Sequence, residues 1–433
     1  VDRRGGFEWL SFAEFYNEAA SYGHALSERG LQQGDSCIFV LQSDRACAAA
    51  LAGSMLVGAV PTLVAPPIVR GLHSNLPEVV RRVSLQTSAR VVVLGDDSAS
   101  LSAPLEESEL NLAAIEDLAG GDGASAPLAF PAPDDIAAMQ LTSGTTGFPK
   151  ICVWKQEGVL ASLDGMEKAM QVGPDDVCVN WTPLYHDMGL VNNFFLCLAK
   201  SIPLGWLHAP NFVKRPAGWI QAMHNTGGTV TWSPNFGFAM TAQRTTEKDM
   251  EGIRLDHVRA FWNAAEKIHV ESIRIFHEKF APYGLKPGAV KTNFGCAENV
   301  GGATFSSLDE PPVVEHVDRQ AMHDEGIARV LPEDDAAGND GIATVVSTGA
   351  PCPGMGIRIL NEKGEAMPEG RIGEVALTTP SRMLEYLGAP EHTALAIRGD
   401  ELLTGDAGYL RNGELFWTGR VHERINLMGK KYD

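Results

Sequence analysis

The sequence predicts an α/β fold made of two wound αβ layers followed by a small β-rich unit. Three observations point there. Over the first 140 residues, apolar bursts alternate with helical patterns, the signature of parallel strands joined by crossover helices. The same alternation resumes after Gly120 to Asp135, a Gly, Ala, Ser, Pro and Asp-rich stretch that reads as a linker within the domain. Beyond Gly341 the apolar runs shorten and Gly and Pro turns separate them.

In chain order, Cys37 to Leu41 is the first strand candidate. Ala46 to Val69 contains no charged residue over 24 positions, long enough to cross a bilayer. Its Ala and Gly content and Pro61, Pro66 and Pro67 favour instead a buried helix from Ala48 to Val57 capped by Asp44, then turn, strand and exit loop. Leu76 to Leu85 is a helix and Arg90 to Leu94 a strand. Strand and helix signals follow at Ile136 to Leu141, Val159 to Met170, Val177 to Trp181, Trp219 to His224 and Ile268 to Phe280. Ser306 to Gly341 is polar and acidic, and reads as an insertion on the surface. Short strands are expected at Ala343 to Thr348, Gly356 to Leu360, Gly373 to Thr378 and Leu415 to Thr418.

With 433 residues, the chain makes roughly three domain-sized units at about 150 residues each. Fifty-four acidic residues against 35 Lys and Arg leave a net charge of −19, a surface that repels nucleic acid and anionic membranes. The seven cysteines are scattered without a Cys-x-x-Cys pair, which fits a reducing cytoplasm and offers no cysteine zinc site. The first residues carry charge with no apolar stretch behind it, so no secretory signal is read there.

The most informative string is Leu141-Thr142-Ser143-Gly144-Thr145-Thr146-Gly147-Phe148-Pro149-Lys150, directly after a strand candidate. Glycines let a backbone approach phosphate oxygens, hydroxyls and amides donate to them, and Lys150 supplies a cation. It is not a Walker loop, because Pro149 precedes the lysine and Ile151 follows it. A carboxylate such as Asp406 can accept paired hydroxyls, and Arg420 can donate through its fixed fork. His186 can hydrogen-bond a carboxylate, with Asp187 orienting the ring.

The ordered string resembles the signature loop of the adenylate-forming superfamily. The segments Trp181 to Leu190, Trp232 to Phe238, Phe261 to Ile268, Asn293 to Glu298, Leu402 to Tyr409 and Phe416 to Arg420 are similar to further motifs, in the same order, of its fatty-acyl-AMP ligases. The resemblance implies a large N-terminal adenylation domain over residues 1–420, with wound parts at 1–170 and 171–342 and the β-rich part at 343–420. Residues 421–433 would be the hinge and start of a C-terminal domain that holds the family's catalytic lysine and is absent from this chain. His422 and Glu423 stand where Lys-Asp is commoner.

By that resemblance, Thr142 to Lys150 binds the triphosphate, and the backbone of Ala264, Ala265 and Glu266 lines the adenine pocket. Here Ala264 replaces the family's glycine and Lys267 its proline. In Asn293-Phe294-Gly295-Cys296-Ala297-Glu298, Phe294 would stack on adenine and Glu298 would hold Mg2+. Asp406 and Arg420 would clamp the ribose, His186 would sit beside the substrate carboxylate, and Asn235, Phe236 and Gly237 would lie along an acyl tunnel. Thr142, Lys150, His186, Glu298 and Arg420 are the catalytic candidates. The implied reaction joins a carboxylic acid, in this subgroup a fatty acid, to ATP as an acyl adenylate with loss of pyrophosphate. An acyl carrier protein would accept the acyl group, as in polyketide or lipopeptide assembly; coenzyme A is the alternative acceptor, and a non-catalytic nucleotide- or acyl-binding module the alternative class.

Overall fold

The computed structural model describes residues 7–67, 75–106, 110–120, 128–142, 148–332, 340–421, 425–427 and 430–432. Ser143, Gly144, Thr145, Thr146 and Gly147 of the phosphate loop, and His422 and Glu423 of the expected hinge, lie outside the described residues.

The first sheet is built on β1 (Ser36–Val40), β2 (Val60–Leu63), β3 (Val91–Leu94), β4 (Leu112–Ala114), β5 (Ile136–Leu141) and β6 (Ile151–Lys155). The run without charge falls in a helix, Arg45–Leu56, close to the one expected, and in strand β2. Asp44 caps that helix by accepting from the Cys47 N–H at 2.9 Å. β4, β3, β1, β2 and β5 pair in parallel, and β6 runs antiparallel to β5. The second sheet repeats this plan with β7 (Cys178–Asn180), β8 (Leu204–Trp206), β9 (Val230–Pro234), β10 (Ala260–Ala264), β11 (Val290–Cys296) and β12 (Gly301–Phe305). β8, β7, β9, β10 and β11 are parallel, and β12 is antiparallel to β11. Buried side chains of both sheets, among them Ala138, Trp154, Trp232, Trp262 and Phe305, form one continuous core. No helix among the described residues is long and apolar enough to cross a membrane.

The remaining strands are β13 (Val314–Asp318), β14 (Ile342–Val346), β15 (Ala350–Pro351), β16 (Gly356–Leu360), β17 (Gly373–Thr378), β18 (Glu385–Tyr386), β19 (Ile397–Arg398), β20 (Glu401–Arg411), β21 (Glu414–Arg420) and the small pair β22 (Ile425–Leu427) and β23 (Lys430–Tyr432). β16, β17, β20 and β19 form an antiparallel sheet that β21 joins on β20. Two short strands return to the large sheets: β15 closes the second on β12, and β18 closes the first on β6. The three parts are therefore stitched together rather than strung in series.

Ser306 to Gly341 differs from the surface insertion expected of it. Its β13 pairs with β14, and Val317 is buried in a small core with Ile372, Tyr409 and Phe416. Composition misled here because one face of β13 carries a buried acid whose charge is met from afar. Glu315 accepts from the Tyr409 hydroxyl at 2.8 Å and pairs with Arg411 at 2.6 Å.

Gly349 joins β14 to β15 at φ 88°, where a Cβ would stand 1.9 Å from the Phe305 carbonyl carbon. We predict that Gly349→Ala destabilises the chain by more than about 3 kcal/mol, combining left-handed strain with backbone overlap, as a urea titration would read. A midpoint equal to that of the unmodified chain would contradict this packing.

Candidate active site

In open wound sheets, ligands bind beyond the carboxyl ends of the parallel strands. Every motif segment of the two wound layers leaves such an end. Thr142 follows β5, Trp181 to Leu190 follows β7, Asn235 follows β9, Ala265 and Glu266 follow β10, and Glu298 follows β11. The hairpin of β20 and β21 contributes Asp406 and Arg420, which face each other in register.

Part of this set meets around a cavity of about 420 Å³, while Thr142, His186, Asn235 and Glu298 are not among its lining residues. Ala265, Glu266, Asn293, Phe294, Gly295, Asp406 and Arg420 all line it. Wall residues not anticipated from the sequence include Trp417, Thr418, Met322 and Ala343 to Val346, so the acidic segment and β14 form one side. A register shift interrupts the pairing of β11 with β12 between Phe294 and Gly295, after which Gly295 pairs with Gly302 and Cys296 with Gly301. A Cβ on Gly295 would lie 2.4 Å from the Gly301 oxygen, so only glycine allows that close approach. Asn293 Oδ1 and Thr418 Oγ1 are buried without hydrogen-bond partners, and both residues line the cavity. Such groups fit a polar ligand in that space.

Asp406 is the electrostatic centre of the cavity. It is 3% exposed, yet it accepts from Trp417 Nε1–H at 2.8 Å and stands 3.3 Å from Arg420 Nε. Burial pushes its carboxyl up to about 6, and Glu298 adds to the rise. Arg420 and the Trp417 hydrogen bond oppose that rise. Arg420 also donates to the Thr404 carbonyl at 3.4 Å, bracing the hairpin.

Glu298 lies outside the cavity wall but beside it. Its carboxylate accepts from the Tyr386 hydroxyl at 2.5 Å and its carbonyl from the Met383 N–H at 2.7 Å. Ala297 is pinned by Trp154 Nε1–H, which donates to its carbonyl at 2.8 Å. On the other flank, the Thr142 N–H donates to the Lys150 carbonyl at 2.9 Å and so closes the base of the phosphate loop. Thr142 Oγ1 is buried without a partner, and Lys150 Nζ lies 4.1 Å from the Tyr386 ring centroid.

His186 and Asp187 form a pair, Nδ1 to Oδ1 2.7 Å. Burial works against the imidazolium, but the Asp187 charge and hydrogen bond outweigh it, so the His186 pKa is raised. Burial likewise opposes the Asp187 carboxylate, and its charge interaction and hydrogen bond with His186 bring it below the usual range. The segment is tied to the first sheet by Gln140, whose side-chain N–H donates to the Tyr185 carbonyl at 2.8 Å. Asp187 and Glu298 both act electrostatically on the buried thiols of Cys152 and Cys296.

Asn235 spends its amide on structure. It accepts from Asn263 Nδ2 at 3.2 Å and the His269 N–H at 3.1 Å, and donates to Ser272 Oγ at 3.1 Å, tying β10 to the helix Val270–Phe280. The Phe236 N–H donates to Glu266 Oε1 at 2.5 Å, while its exposed ring lies edge-on to Trp181. Gly237 makes room for Ser233, Trp181 and Phe212, since its Cβ would come within 2.1 Å of Ser233 Oγ. Ala264 stays in strand geometry opposite Pro234, and Ala265 takes the left-handed conformation, φ 69°. The Ala264 replacement therefore needs no positive φ.

The chain belongs to the AMP-binding enzyme family, which it matches over residues 1–387. Among its relatives, the long-chain-fatty-acid–AMP ligase FadD26 of Mycobacterium marinum is 28% identical over 460 residues, covering 100% of this chain and 76% of that protein. A structure from studies of fatty acyl-adenylate ligases of E. coli and L. pneumophila superposes with a TM-score of 0.93 at 28% identity, over 100% of this chain and 78% of that one. The adenylation domain of a keto acid-selecting NRPS module, bound to keto acyl adenylate, gives 0.89 at 27% identity, over 100% of this chain and 81% of that one.

Asp406 holds its proton to higher pH in the folded chain than in the unfolded one. Between about pH 4 and 6 the folded state binds the extra proton, so this residue's contribution to stability falls as pH rises through that window. We predict that Trp417→Phe, which removes a donor to the carboxylate, raises the carboxyl further and deepens the loss of stability from pH 5 to pH 7, about the range a carboxyl near 6 titrates over. Urea midpoints of both proteins across that range read the difference; parallel profiles would show that Trp417 does not hold Asp406.

Proposed function

We propose that this chain adenylates a carboxylic acid: it is the adenylation domain of an acyl-AMP ligase, acting on fatty acids and supplying an acyl carrier protein. The observation that carries the reading is the joining of Phe294, Asp406 and Arg420 on one cavity, with Glu298 and Lys150 linked just behind it through Tyr386. In this reading Phe294 and the backbone at Ala265 and Glu266 hold adenine, and Asp406 accepts from the ribose hydroxyls. Arg420 serves both Asp406 and the phosphate. Family membership and the names of the relatives support the adenylation chemistry. The seven buried free thiols support a reducing, cytoplasmic setting.

The substrate carboxylate oxygen attacks the α-phosphorus of ATP. An oxygen–phosphorus bond forms, the bond to the bridging oxygen breaks, and pyrophosphate leaves with the electron pair. His186, its pKa raised by Asp187, steadies the incoming carboxylate before attack. Lys150 and Arg420 offset charge on the phosphoryl oxygens as the leaving group departs, in a site fixed before the reaction begins. Among the described residues no group of three or more His, Cys, Asp or Glu could hold a metal ion on its own. That suits a cation that arrives on the triphosphate and meets one protein carboxylate, Glu298. Bound magnesium would draw charge from the phosphate oxygens.

We predict ATP-dependent pyrophosphate release with at least one member of a fatty-acid length series, with the acyl adenylate seen by mass spectrometry. Glu298→Gln should lower the rate by about 100-fold or more. Release that needs no acid, or none from any acid in the series, would overturn the assignment. Presenting the adenylate to coenzyme A and to a phosphopantetheinylated carrier protein separates the two acceptors. AMP affinity should also fall as pH drops through about 6, because a protonated Asp406 has fewer acceptor sites for the ribose, and Asp406→Asn should flatten the profile. Calorimetric titration reads both; an unaltered profile in Asp406→Asn would remove Asp406 from the ribose site.

A further inference from the structure

We propose that Tyr386 is the positioning residue that presets both charged partners of the polyphosphate, fixing the Glu298 carboxylate for the cation and the Lys150 ammonium for the phosphates. This rests on the roles given to Glu298 and Lys150 above.

Tyr386 belongs to the β-rich part of the chain, 88 residues from Glu298 in sequence, yet it reaches the first sheet. The pairing of β18 with β6 sets Tyr386 opposite Cys152, and two hydrogen bonds lock that register. The Leu384 N–H donates to the Val153 carbonyl and the Leu387 N–H to the Ile151 carbonyl, each at 2.8 Å. β6 starts one residue after Lys150, so a strand held in this register carries its aromatic ring to the lysine. The same strap holds Glu298 twice, through the Met383 N–H on its carbonyl and the Tyr386 hydroxyl on Oε1.

A buried tyrosine that merely filled the core would need any acceptor for its hydroxyl. This one is 4% exposed and donates to a carboxylate, while its ring carries a cation from the loop on the other side. The hydrogen bond on Oε1 selects one orientation of Glu298 and leaves Oε2 as the oxygen free for a cation. The ring holds the ammonium by charge and quadrupole rather than by neutralising it, so Lys150 keeps its charge for phosphate. One side chain thus sets the spacing between the two charges.

The test uses the whole chain, Mn2+ as the metal probe and the non-hydrolysable α,β-methylene analogue of ATP, with free Mn2+ read by electron paramagnetic resonance. Tyr386→Phe keeps the ring and loses the donor. It should weaken Mn2+ binding to the protein–nucleotide complex about tenfold, with metal-free nucleotide affinity within about twofold of the unmodified chain. In turnover, the Mg2+ concentration for half-maximal rate should rise by about the same factor, while the rate at saturating Mg2+ holds. Tyr386→Leu should in addition weaken metal-free nucleotide binding about threefold. Mn2+ binding unchanged in Tyr386→Phe would overturn the proposal, and that variant decides the matter alone if Tyr386→Leu does not fold. Glu298→Gln separates the two levels: Mn2+ binding lost there but intact in Tyr386→Phe sinks only the role of Tyr386. Mn2+ binding intact in Glu298→Gln sinks the metal role of Glu298 itself.

Discussion

A carboxylate sealed from water at the end of a β-hairpin is the constraint around which the cavity is organised. Asp406 is costly to bury as an anion, and its neighbours Arg420 and Trp417 come from the facing strand, so the charge is met only when β20 and β21 are in register. That register sets Trp417, Thr418 and Arg420 on the cavity wall. The opposite wall is fixed as firmly, by the approach of Gly295 to Gly301 where the pairing of β11 with β12 shifts register. The cavity results because two rigid edges, each over-determined by its own strand partners, meet across a gap. Little in it needs ordering when a ligand arrives, which lowers the entropic cost of binding.

The two large sheets share one plan, five parallel strands ended by antiparallel ones, and the final strand of each is contributed by the C-terminal third of the chain. Parallel strands all release their loops at one end, which is why motifs far apart in sequence converge. The returning strands β15 and β18 attach the β-rich part to both layers. Through β18 this attachment also reaches the loop lysine and Glu298. The acidic segment participates as well, since Met322 and β14 line the cavity. Its buried acid, Glu315, is met by Arg411 and the Tyr409 hydroxyl, and Val317 on the same strand packs in the small core.

Much of this was legible in the sequence because strand and helix periodicity are local properties. The uncharged run from Ala46 resolved into helix and strand at the positions its cap and prolines mark. Phe294, Asp406 and Arg420 were legible as strings of residue types, and the fold unites them on one cavity. What escaped depends on side chains meeting across long separations. Trp417 reads as one more apolar strand residue until its indole is seen donating to Asp406. Tyr386 lies in a two-residue strand too short to register as a pattern. Asn235 was legible as part of a motif, but only the structure reveals that its amide is committed to Asn263, His269 and Ser272. The burial of Val317 was hidden by the acidic composition around it. Composition averages over both faces of a strand, and packing does not.

The central claim is that one nucleotide bridges the ends of β10 and β11 and the β20–β21 hairpin. Hydrogen–deuterium exchange with and without saturating AMP tests it most directly. The account predicts simultaneous protection of the segments spanning 263–268, 292–298 and 404–420, with the strand cores of both large sheets unchanged. Protection confined to one of these segments, or appearing on a face remote from all three, would contradict it.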